Sequence, residues 1–172
     1  MRQKTMNGGS ISVTLGPVFF VTSTNAVIRL NGANVTSASG TLIKAKATDR
    51  WGRSGSNGGL VSFAAYDEIL SGSLACDNVS SITAILQNGT ALAGSINAEN
   101  KGKFASLSLD MSSTWNVTGT SYLASLKDGD TALTNIHGNG FTVYYDSNPG
   151  NNSWLGGKTY SLANGGKLNP KI

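Results

Sequence analysis

Nine carboxylates, one histidine and one cysteine are all that this 172-residue sequence offers for acid–base or thiol chemistry. A glycoside hydrolase needs two carboxylates held far enough apart to straddle a glycosidic bond and its water. A metal site needs several ligands converging. His137, in the run NIHGNG, has no such partners nearby and reads as a turn residue. The KDGD run, Lys127 to Asp130, has the flavour of a calcium loop but lacks the further oxygens that an EF-hand supplies, and a turn is the better reading. Cys76 is the only cysteine, so the chain holds no internal disulfide, and with no histidine close in sequence it reads as a small buried hydrophobe. No serine stands in a G-x-S-x-G elbow and no G-x-G-x-x-G is present. No catalytic residue, metal ligand or cofactor is assigned.

Binding chemistry is better represented. The stretch KATDRWGRSGSNGGL, Lys46 to Leu60, sets Trp51 between Arg50 and Arg53 and follows them with Gly, Ser and Asn. An indole stacks on sugar rings and guanidinium groups favour acidic glycans. Trp154 with Tyr144 and Tyr145 forms a second aromatic candidate. The competing reading for Trp51, and the one favoured from sequence, is that it folds back over an apolar groove, with Arg50 and Arg53 paired or solvated.

What must position these residues is legible in a repeat. VSFAAYDEILSGSLACDNVSS from Val61, TAILQNGTALAGSINAENKGK from Thr83 and ASLSLDMSSTWNVTGTSYLAS from Ala105 start 22 residues apart. Phe63, Ile85 and Leu107 then coincide, as do Gly72 with Gly94, Leu74 with Ile96, Ile82 with Phe104, and Asn78 with Asn100. Each unit holds β-like pieces of a few residues, too short for a hairpin core but long enough to stack from rung to rung. A parallel β-helix is preferred to a β-sandwich, with Ile85 at the centre of the core and an Asn78/Asn100 amide ladder at a corner. Asp77 and Glu99 are the one acidic pair in line and read as a solvated corner. An earlier unit, VIRLNGANVTSASGTLIKAK, fits if Leu42 matches Leu74, which leaves a surplus of ten residues between Ile43 and Leu60. The Trp51 stretch is therefore an insertion in one rung, and Thr48 to Gly58 are expected to leave the solenoid as a surface loop. Further on, Leu133, Ile136, Phe141, Val143 and Tyr145 read as inward or stacking positions, and Lys158–Leu162 as a strand.

Three segments taken together, GPVFFVTSTNAVIRL, SGTLIKAKATDRWGRSGSNGG and LSLDMSSTWNVTGTSYLASL with NGFTVYYDS, resemble a module of large secreted bacterial proteins. These are akin to the right-handed β-helix passengers of autotransporter adhesins. The resemblance spans Gly16 to Leu168 and implies export, surface exposure and a right-handed parallel β-helix; it brings no binding or catalytic residues with it.

Composition bounds the rest. Only 13% of residues are charged, against a usual share near 25%. The net charge of +4 belongs to residues 1–60, which hold seven Lys/Arg and the single acid Asp49, so the basic character is local and no nucleic-acid partner is expected. No apolar run of about 18 residues spans a membrane, and the N-terminus lacks the apolar stretch of a signal peptide. The expectation is one all-β solenoid domain: an N-terminal edge at 1–16, rungs at 17–146 and a C-terminal cap at 147–172, as a piece of a longer exported protein. Its expected role is a non-catalytic structural or adhesive module at the cell surface or outside it. Surface glycans, or other copies meeting through the solenoid ends, are the partners. A carbohydrate-binding module for acidic polysaccharide is the alternative, with a polysaccharide-degrading enzyme third.

Overall fold

The computed structural model describes residues 1–148 and 150–171, so Pro149 and Ile172 of the expected cap lie outside the described residues. Nearly every strand pairs in parallel with one a full turn away, and the turns stack into a β-solenoid. The first rung is β1 (Arg2–Asn7), β2 (Ser10–Val13) and β3 (Phe19–Val21); the second is β4 (Thr24–Asn31), β5 (Asn34–Ser37) and β6 (Thr41–Ala45). The third is β7 (Gly59–Tyr66), β8 (Ile69–Ser71) and β9 (Ser73–Cys76). The fourth is β10 (Ser81–Gln87) and β11 (Ala91–Gly94), its third side reduced to Ile96, which bridges Leu74. Then come β12 (Phe104–Leu109), β13 (Thr114–Val117) and β14 (Ser121–Leu123), followed by β15 (Ser125–Asp128), β16 (Ile136–His137) and β17 (Thr142–Asp146). The chain closes with a 3-10 turn (Ser153–Leu155), β18 (Tyr160–Ser161) and β19 (Lys167–Lys171).

Three faces result. One is a continuous six-stranded sheet, β1-β4-β7-β10-β12-β15. The second is β2-β5 followed by β8-β11-β13-β16, and the third is β3-β6-β9 followed, past Ile96, by β14-β17-β19. Alternate side chains of every strand enter a shared core, as the two-residue period of a strand requires. On the first face the inward columns are Ala26–Val61–Ile82–Ala105, Ile28–Phe63–Ala84–Leu107–Leu126 and Leu30–Ala65–Leu86–Leu109. Each member is buried. Large and small residues complement one another along a column, with Ala84 making room for Phe63 and Leu107. Small residues matter elsewhere too: a Cβ at Gly94 would run into the carbonyl of Gly72 one rung away.

The register corrects several sequence alignments. Phe63 pairs with Ala84, not Ile85, and Ala84 pairs with Leu107. Ile85 lies opposite Ala64 and Ser108 on the outer side and is 37% exposed. Ile82 likewise pairs with Ala105 rather than Phe104. The corner before β10 is one residue short and the corner before β12 one residue long, so the average of 22 conceals steps of 21 and 23. A one-residue error in the assumed register assigns every side chain of a strand to the wrong face. Leu42 is displaced as well: a bulge between Thr41 and Ile43 brings Ile43 opposite Leu74 and buries both Leu42 and Ile43. Asn78 and Asn100 form no hydrogen bond with each other. The stacked polar corner is a buried one instead, running Glu68, Thr90, Ser113, Asn135. Thr90 Oγ1 accepts the Glu68 N–H at 3.3 Å and Asn135 Nδ2 donates to the Ser113 carbonyl at 3.1 Å.

The two ends differ. At the C-terminal end the free edge of β15 is answered by side chains. Asn152 Oδ1 accepts the Leu126 N–H at 2.8 Å, Asn152 Nδ2 donates to the Ala124 carbonyl at 3.0 Å, and Trp154 Nε1 donates to the Leu126 carbonyl at 2.9 Å. Leu155 of the 3-10 turn fills the core beneath, and β18 turns antiparallel onto β19. At the N-terminal end Arg2 and Lys4 stand in register with buried Ala26 and Ile28. No described helix is long and apolar enough to cross a membrane.

Candidate functional site

The insertion sits between β6 and β7 and accounts for the wide step from Ala26 to its partner Val61, against Arg2 to Ala26 one rung earlier. Of the expected surface loop Thr48 to Gly58, residues 48–56 leave the solenoid as a folded loop, while Asn57 and Gly58 are buried. Thr48 and Trp51 form an antiparallel bridge, and the Ser56 N–H donates to the Arg53 carbonyl at 2.9 Å. Asn57 fastens both ends of this structure. Buried to 4% exposure, its Nδ2 donates to the Thr48 carbonyl at 2.7 Å and the Trp51 carbonyl at 2.9 Å, while its own carbonyl accepts the Ser23 N–H at 2.9 Å. Gly52 has φ +75, and a side chain there would meet Ser23 and Asn57.

Trp51 stands on this clamped loop. The favoured expectation was a lid over the core, but Trp51 is 64% exposed and projects from the loop. Asn57 holds the Trp51 carbonyl inward, and the indole lies largely in solvent. Arg50 and Arg53 flank it, both exposed. Among the described residues the single ion pair is Lys101 Nζ to Glu99 Oε2, at 2.8 Å, so neither arginine is neutralised by a salt bridge. Asn57, which fastens the loop, is the residue that sequence alone did not reveal; one asparagine in a Gly/Ser/Asn tail carries no signal until its partners are known.

The second aromatic candidate divides. Tyr145 is buried and its hydroxyl donates to the Lys158 carbonyl at 2.8 Å, so it is core and cannot meet a ligand. Trp154, 38% exposed, spends its N–H on the β15 edge. Tyr144 is half-buried on the outer side of β17 and stacks on Tyr122, centroids 5.0 Å apart and planes 10° from parallel. Lys171 Nζ lies 5.8 Å from the Tyr122 centroid and donates to Asn100 Oδ1 at 2.9 Å. The ring face of Tyr122 is thus committed within the protein. Phe141, expected inward, is 39% exposed at the turn before β17.

No protein-family model, curated protein or solved structure matches the chain. The site must be judged on its own geometry.

The carboxylates are engaged in holding turns. Asp77 accepts the Ala47 N–H at 2.8 Å and the Val79 N–H at 3.3 Å, and despite some burial its hydrogen bonds hold it below the usual carboxylate range. Its neighbour along the axis, Glu99, points away to Lys101. Asp110 accepts the Asn88 N–H at 2.8 Å and those of Ser112 and Ser113, and its pKa is likewise lowered. In KDGD, Asp128 accepts the Asp130 N–H and Asp130 those of Ala132 and Thr134, which is a turn. His137 lies on β16 with Nδ1 2.8 Å from Asn116 Oδ1. Burial pushes the Cys76 thiol up to about 12, which leaves it protonated and unreactive. Among the described residues no three His, Cys, Asp or Glu side chains converge as a metal site.

Proposed function

We propose that this chain is a non-catalytic adhesive module of a secreted or cell-surface bacterial protein, and that it engages acidic glycan through the Arg50–Trp51–Arg53 loop. One observation carries the reading: Asn57 pins the backbone of the insertion, and Trp51, Arg50 and Arg53 are all exposed on it, with neither arginine in a salt bridge among the described residues. An exposed tryptophan costs solubility and contributes nothing to this core. A loop backbone already fastened by Asn57 lowers the ordering cost of binding a sugar ring that bears carboxylates or sulfates. The bacterial, exported setting rests on the resemblance of the sequence to autotransporter-passenger modules. The engagement of Asp77, Asp110, Asp128 and Asp130 in turn hydrogen bonds supports binding without hydrolysis.

A panel of acidic and neutral glycans tests this. The expectation is binding to acidic members that weakens with salt, with no release of reducing ends or unsaturated sugars. Replacing Arg50 and Arg53 with Ala weakens binding and flattens the salt slope. Trp51→Ala lowers affinity about tenfold, the scale of one lost aromatic contact, while Tm is unchanged. Tm should hold because the side chain covers nothing; a fall of several degrees in Trp51→Ala, with no glycan bound by the native chain, overturns the reading.

A further inference from the structure

Beside the loop stand Lys44, on the outer side of β6, and Lys46, the residue after that strand, both exposed and in no salt bridge among the described residues. Phe20 of β3 pairs with Lys44 from the rung before and is 49% exposed; Ala75 of β9 pairs with it from the rung after. From these lysines an open groove of about 510 Å³ crosses Ser73, Ala75 and Ser95 to Glu99 and Lys101. A second depression on the other flank joins Lys44 and Lys46 to Phe20, Asp49 and Arg50. The two hollows share the lysine pair, so the third face and the loop form one continuous strip over four rungs. At roughly 4.8 Å a rung the strip is about 14 Å long. Its floor is of small side chains, so a ligand can lie close to the sheet. Its electrostatics are shared as well: Glu99 is held below the usual range by Lys101 first, and also by Lys44 and Lys46.

We propose that this strip is a track for a linear anionic polysaccharide running along the solenoid axis, with Lys44 and Lys46 meeting further acidic groups beside those met by Arg50 of the loop. This rests on the acidic-glycan reading of the loop and extends it to the ligand's form: a chain of several sugars, not a terminal residue. A pyranose repeat is close to the rung spacing, so successive sugars meet successive rungs. Asp49, Asp77 and Glu99 line the same hollows. They accept hydrogen bonds from the hydroxyls of a sugar chain but oppose a nucleic-acid duplex, whose charges fall about every 1.7 Å.

Oligouronates of two to eight sugars, titrated into the native chain, test the proposal. Affinity should rise with length and level off once the strip is filled. Lys44→Gln with Lys46→Gln should weaken the longest oligomer roughly three- to tenfold, the equivalent of two exposed ion pairs, and weaken the disaccharide less, so that the gain with length shrinks. Lys127→Gln, on another face, should change nothing. Both lysines are exposed, so an unchanged Tm verifies that the variant folds. If the lysine variant keeps the full length dependence while Arg50→Ala with Arg53→Ala abolishes binding, the track is wrong and the loop site stands. If no oligouronate binds at any length, the track falls together with the loop reading for this glycan class. Tighter binding of duplex DNA than of the longest oligouronate overturns the polysaccharide assignment.

Discussion

Glu68 is the residue whose chemistry runs against its surroundings. It occupies the corner column that continues as Thr90, Ser113 and Asn135, all neutral, and it is 1% exposed. Oε1 accepts the Ala33 N–H at 2.9 Å, while Oε2 is buried without a partner. That hydrogen bond coincides with a break in the second face, where β5 and β8 are not joined as strands. Burial is the main reason its carboxyl is raised above the ordinary value; the Ala33 N–H opposes the shift and nearby Asp67 adds to it. A carboxyl raised in the folded state favours folding most when protonated. Its contribution is fully present below the unfolded value, about 4.3, and is lost as pH climbs through the raised one. Glu68→Gln, which keeps an acceptor for Ala33 and removes the charge, should therefore raise Tm at pH 8 and flatten the Tm profile between pH 4 and pH 8. A variant less stable than the native chain at pH 8 would mean that the ionised carboxylate is satisfied by some other group.

Among the elements, β7, β10 and β12 show how volume is shared between rungs. Phe63 and Leu107 both press on Ala84, whereas Ile85 next to it faces out. Phe63→Ala should cost roughly 3–5 kcal/mol and Ala84→Leu about 1–3 kcal/mol through overpacking, while Ile85→Ala should fall within about 0.5 kcal/mol, all by denaturant titration. A large loss for Ile85→Ala would contradict the register. The sequence pattern carried the parallel solenoid, the insertion and the Leu74–Ile96 step, because apolar spacing survives averaging over rungs. It did not carry the column at Ala84, since corners one residue short and one residue long cancel in the mean. Trp115 was equally hidden: wholly buried, with Nε1 donating to the Gly94 carbonyl at 2.8 Å, it is the core tryptophan that Trp51 was expected to be. β19 escaped because Pro170 and a single described inward leucine, Leu168, give it a weak strand pattern. At the site, the types and adjacency of Arg50, Trp51 and Arg53 were legible; the fastening of their loop depends on Asn57, six residues from the indole and meaningful only in three dimensions.

For the whole molecule, the stacking that builds the core leaves the first and last described rungs with strand edges that no further rung of the described residues covers. The C-terminal end is answered by Asn152, Trp154 and the antiparallel β18, which together occupy the hydrogen-bonding groups another strand would seek. The N-terminal end is answered by charge. Arg2 and Lys4 occupy positions that are apolar in later rungs, and only Met6 of that strand packs on the core. Inward-pointing charge on an edge strand disfavours edge-to-edge pairing, since docking a second copy would bury like charges against each other. The edge of β1 is thus favourable in backbone terms and unfavourable in side-chain terms, and the second effect should win. The chain is expected to be monomeric by light scattering. Replacing Arg2 with Val and Lys4 with Ile should produce a concentration-dependent dimer, two copies meeting head to head with their β1 strands antiparallel about a two-fold axis. Because the proposed glycan strip lies on the third face, that dimer should bind oligouronate with unchanged affinity per subunit. A native chain already paired through β1 would show that these cations do not guard the edge.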